Sequence, residues 1–120
     1  MADSPSLDQL FPASFDEHTI IFLVRPPDAP ALAEDELDRL QIAHLAYLRD
    51  RMRDGVLIAN GPLDDQTDVR MRGISIYALP LEEALRVARA DPMVLAGRLA
   101  IDGARWRTAS GTLSFSRPAD

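Results

Sequence analysis

The stretch from Ala31 to Gly55, ALAEDELDRLQIAHLAYLRDRMRDG, constrains this chain most, because it reads as one long helix with a single apolar stripe. Glu34, Asp35, Glu36 and Asp38 stand at its start, Arg49, Arg51 and Arg53 at its end, and Gly55 just beyond. Acid early, base late and a terminal glycine match the helix macrodipole and the residue favoured where a helix stops. On a wheel of about 100° per residue, Leu37, Leu40 and Leu48 fall within roughly 40° of His44. The histidine therefore shares the inward stripe. A helix of this length needs a broad apolar surface to lie on, and the flanking segments read as that surface.

Before it, TIIFLVR (19–25) is a β-branched and aromatic run closed by PPDAP, the pattern of a buried strand. After it, VLIANGP (56–62) reads as a short strand ending at Gly61-Pro62, and DDQTDVRMRG as a polar loop. GISIYAL (73–79) alternates, with Ile74, Ile76 and Ala78 on one face and Ser75 and Tyr77 on the other. In PLEEALRVARA, Pro80 suits a first turn, and Leu81, Ala84, Leu85 and Ala88 recur at helical spacing. Asp91-Pro92 then opens a short helical piece, MVLAG, that leads into a last strand, RLAIDGARWRT. Residues 1–17 lack periodicity and read as an N-terminal arm with Leu10, Phe11 and Phe15 as its docking groups, leaving 18–120 as one domain.

Strand, helix, strand, strand, helix, strand is the ferredoxin-like α+β order: a four-stranded antiparallel sheet with two helices on one face. The opposite face stays bare. In so short a chain a second copy is the expected cover, which makes a homodimeric α+β barrel the anticipated assembly.

Composition narrows the function classes. Net charge is −6, and the 13 basic residues are all arginines spread along the chain, so no basic face for nucleic acid is expected. Without cysteine there is no disulfide, thiolate nucleophile or cysteine-bound metal. No apolar run is long enough for a membrane span, and the N-terminus has neither a basic start nor an apolar signal core, so the expectation is a cytoplasmic protein without a membrane partner. His18 and His44 lie far apart with no HExxH arrangement, and DDQTDVRMRG lacks the glycine and glutamate of a calcium loop. With no phosphate-binding glycine loop, nucleophile elbow or dinucleotide fingerprint either, neither metal nor cofactor is expected.

The helix carrying AHLAYLRDRMRDG, then LIANGPL, a strand, LEEALRVARADPMVLAGRL and a final strand with tryptophan together resemble the YCII-related domain family, from about Thr19 to Trp106. The resemblance implies the dimeric ferredoxin-like barrel and a pocket with a histidine and an aspartate proposed as a catalytic dyad. By position these are His44 and, through the ADP match, Asp91. It also implies a class of chemistry, since one member is a dehydrochlorinase acting on a chlorinated hydroxyhydroquinone.

Read without the family, each residue has a plainer alternative. His44 is either a core histidine bonded to a carbonyl or a general acid or base, since imidazole titrates near neutrality. Asp91 before Pro92 suits a helix N-cap, a role compatible with orienting an imidazole through its second oxygen. Gly61 and Pro62 read as turn punctuation or, less simply, as part of a substrate site. Ser75 and Tyr77 either line a pocket or face solvent, and Arg98 or Arg105 is placed to reach an anionic substrate. The leading expectation is a cofactor-independent enzyme using His44 and Asp91 for proton transfer on a small cyclic or oxygenated metabolite, of lyase, dehydrochlorinase or isomerase type. The alternative is a non-catalytic ligand-binding or protein-interaction module of the same fold.

Overall fold

In a computed structural model describing residues 4–116, the chain forms β1 (Phe15–Val24), α2 (Glu34–Arg53), β2 (Leu57–Pro62), β3 (Met71–Tyr77), α3 (Leu81–Arg89), α4 (Pro92–Leu95) and β4 (Ala100–Ala109), after a one-turn α1 (Leu7–Leu10). The strands make one antiparallel sheet in the order β2-β3-β1-β4. This is the ferredoxin-like α+β topology that the pattern of elements led us to expect.

Strand alternation decides which residues face the helices. Along β1, Thr19, Ile21 and Leu23 are buried while their neighbours are only partly so, and Ile21 and Leu23 pair across β3 with Ser75 and Gly73. Paired residues share a face. Leu57 and Tyr77 from the sheet meet Leu48 of α2, Ala84 and Ala88 of α3, Met93 of α4 and Leu99 to form the core. Small residues on α3 let it lie close, and β4 answers with Gly103: a Cβ there would stand 3.0 Å from Ile21 and 3.0 Å from Leu85.

Helix α2 stops where the sequence indicates, with Gly55 at φ +80°, in the left-handed region that glycine enters without steric cost. Strand β1 departs from expectation by starting at Phe15 rather than Thr19. Its first residues, Phe15 to His18, pair with Ala109 to Trp106 of β4, a partner remote in sequence that no local pattern announces. Met71 and Arg72, expected in a loop, extend β3. Short helix α1 was not expected either; Ser6 and Gln9 close it reciprocally as a capping box, and none of its residues is buried.

Residues Ile20, Phe22 and Ile74, with Ile76, lie on the sheet face away from the helices. Among the described residues no helix covers that side. Behind it, Phe115 returns to set its ring edge against His18, 5.3 Å between centroids. Among the described residues, no helix is long and apolar enough to cross a membrane.

Candidate active site

His44 sits near the middle of α2, and Asp91 is the residue on which α4 begins. The Asp-Pro pair builds that corner: Asp91 is extended, Pro92 takes the first helical position, and the Asp91 Oδ1 accepts the Met93 N–H at 2.9 Å. The same carboxylate faces α2, where His44 Nδ1 lies 2.8 Å from Oδ1 and 2.7 Å from Oδ2. Both residues are buried, at 8% and 2% exposure. A carboxylate can only accept, so Nδ1 is the protonated nitrogen and donates. In the neutral ring the lone pair is then on Nε2, which has no partner among the described residues.

The surrounding packing holds this geometry. One turn along α2, the Tyr47 hydroxyl donates to the Val87 carbonyl at 2.7 Å, tying α2 to the end of α3 just before the Asp91 corner. Beneath, the Tyr77 hydroxyl is pushed well above its usual pKa by burial, and further by the nearby Tyr47 and Asp91, so it stays protonated.

His44 lines a cavity of about 250 Å³ between α2 and the sheet. Leu45 and Leu48 continue its helical wall, Met93 and Leu99 close its apolar end, and Gly73 and Ser75 belong to its floor. Strands β2 and β3 approach closely there, since a Cβ on Gly73 would stand 3.0 Å from the Gly61 carbonyl oxygen. Asn60, Gln41, Arg25 and Arg72 add polar groups. Burial, together with the positive charges of Arg98 and Arg72, pushes the Arg25 guanidinium below its usual pKa.

Of the residues singled out from sequence, His44, Asp91, Gly61, Pro62 and Ser75 gather around this cavity, Asp91 from behind the histidine. Tyr77 does not. It shares a face with Ser75, but at 1% exposure it belongs to the core beside the cavity. Arg98 lies near Arg25 and donates to the Pro30 carbonyl at 2.8 Å, whereas Arg105 pairs with Thr19 farther along the sheet. Arg25 itself escaped the sequence reading, although a signal existed: it continues the odd-numbered face of Thr19, Ile21 and Leu23. Among the described residues, no three histidine, aspartate or glutamate side chains cluster as a metal site.

Comparison with known proteins follows the same outline. Among solved structures, the chain is similar to the 5-chloro-2-hydroxyhydroquinone dehydrochlorinase of Burkholderia phenoliruptrix AC1100, solved in complex with 2,5-dihydroxybenzoquinone: TM-score 0.51 at 24% identity, covering 74% of this chain and 92% of the other. That likeness concerns the fold. Among curated proteins, none matches. The family model of the YCII-related domain matches residues 20–102, from the second half of β1 to the first half of β4 and across both dyad residues. The chain belongs to the YCII-related domain family.

Proposed function

We propose that the chain is a small acid–base enzyme in which His44, oriented by Asp91, moves a proton on a small cyclic or oxygenated metabolite. The observation that carries this reading is the division of labour on one imidazole: Nδ1 is held by a buried carboxylate, while the ring lines a cavity. An orienting carboxylate fixes the tautomer and stabilises the imidazolium formed when Nε2 takes a proton. In an elimination, Nε2 removes a proton from carbon, the C–H electron pair becomes a double bond, and a leaving group such as chloride departs from the neighbouring carbon with its own pair. The proton then passes from Nε2 to solvent. In an isomerisation the imidazolium returns it to a different carbon. The dehydrochlorinase name of the structural neighbour supports the elimination branch.

The reading is tested by incubating the protein in deuterium oxide with single-ring hydroxy and chlorohydroxy compounds, following carbon-bound deuterium and released chloride. Exchange or chloride release that the His44→Gln protein lacks is the expected result. Equal rates for the two proteins on every compound would refute it.

A further inference from the structure

From the cavity's arginines we infer that its ligand is a small organic anion, with Arg25 holding the negative oxygen and Arg72 and Arg98 adding positive charge beside it. The inference rests on the acid–base reading for the identity of the substrate pocket and adds the substrate's charge.

Five arginines of this acidic chain meet carboxylates: Arg39 with Asp35, Arg49 with Asp50, Arg51 with Asp54, Arg70 with Asp68 and Arg107 with Glu17. The arginines around the cavity are not among them. Among the described residues no carboxylate pairs with Arg25, Arg72 or Arg98, although net charge is −6 and acidic side chains are plentiful. Arg98 gives one donor to the Pro30 carbonyl, and Arg72 gives one to the Val69 carbonyl at 3.2 Å. A guanidinium has five N–H donors, so most of this capacity has no partner among the described residues. The Nε groups of Arg25 and Arg98 are buried with no hydrogen-bond partner, and a buried unpaired donor is costly.

Neighbouring charge sharpens the point. Arg25 lies close enough to Arg72 and Arg98 to be disfavoured by both. The carboxylate behind His44, that of Asp91, is engaged by His44 Nδ1 and the Met93 N–H. Like charges drawn together beside an apolar wall make a site that a negative ligand relieves, because the ligand supplies the missing acceptor and cancels the repulsion. Size limits the ligand further: about 250 Å³ is below the range of drug-sized pockets and suits a single ring or short chain. The same guanidinium would then hold charge that grows on a substrate oxygen as His44 removes a proton.

Benzoate and benzamide, alike in shape and different in charge, provide the test. Each is titrated into the protein while the His44 ring and the Gly73 and Ser75 amides are followed by NMR. Benzoate should bind at least about tenfold more tightly, a difference of about 1.4 kcal/mol. Arg25→Gln should reduce that preference below about threefold, and Arg105→Gln, farther along the sheet, should leave it in place. Equal binding of the two compounds by the unaltered protein, or an undiminished preference in Arg25→Gln, would overturn the inference. Because the readout is binding, a failure of proton exchange with the benzoate preference intact strikes the acid–base reading alone, and the converse strikes this inference alone.

Discussion

Arg25 shows best how function and stability pull apart at a single residue. Its guanidinium is pushed below the usual value by burial and then by Arg98 and Arg72, so the charged form is less favourable in the folded chain than in the unfolded one. For a base with a depressed folded pKa, that cost is present at every pH below the folded value and lifts only as pH rises through it. Between about pH 5 and 9 it is therefore constant, and Arg25 adds no slope to the stability profile. Arg25→Met keeps the apolar stem and removes the charge, so the melting temperature should stay level or rise while benzoate affinity falls about tenfold or more. A drop of several degrees in thermal melting would show that Arg25 supports the fold instead. The site residues differ in how legible they are from sequence for the same kind of reason. His44 is visible because three leucines share its stripe, and Asp91 because Asp-Pro opens a helix. Arg25 is visible only to someone who carries the alternation of β1 past the apolar run into a charged residue.

At the scale of elements, periodicity located both major helices and all four strands, and it erred where pairing rather than local pattern decides. Phe15-Asp16-Glu17-His18 has no strand-like alternation, yet it is strand because β4 stands opposite with free backbone groups. Ser75 and Tyr77 share one face, but only the placement of α2 and α4 leaves one on a cavity floor and the other in the core. Gly103 makes a test of how α3 docks. Replacing glycine by alanine in a strand gains about 0.4–1 kcal/mol through the unfolded chain, whereas overpacking a core commonly costs about 1–3 kcal/mol. With Ile21 and Leu85 each 3.0 Å from the new methyl group, the packing cost should win. Gly103→Ala is expected to lower the melting temperature by several degrees and leave benzoate binding unchanged; a variant as stable as the parent would mean that α3 rides more loosely on β4 than its packing implies.

For the whole molecule, shape bears on assembly. The radius of gyration is 17.7 Å with extents of 66 × 33 × 25 Å, while a compact chain of this length has a radius near 14 Å. Strands β1 and β4, ten residues each, outrun β2 and β3, and α1 with the residue after it adds exposed Leu7, Leu10 and Phe11. Among the described residues no helix lies over the sheet face of Ile20, Phe22 and Ile74, so we propose a homodimer formed through that face. Light scattering at micromolar concentration should give twice the 13.2 kDa chain mass, and Phe22→Glu should return it to the monomer value; a folded monomer at that concentration in the unaltered protein would contradict the assembly. Central to the account, however, is that His44 and Asp91 work as one unit within each chain, and a double-mutant cycle on turnover of whichever compound the exchange screen yields tests this most directly. His44→Gln and Asp91→Asn should each lower kcat by about 10²–10⁴-fold, and the double variant should be no slower than His44→Gln alone. Losses that multiply in the double variant, or an Asp91→Asn protein with unaltered kcat, would contradict it.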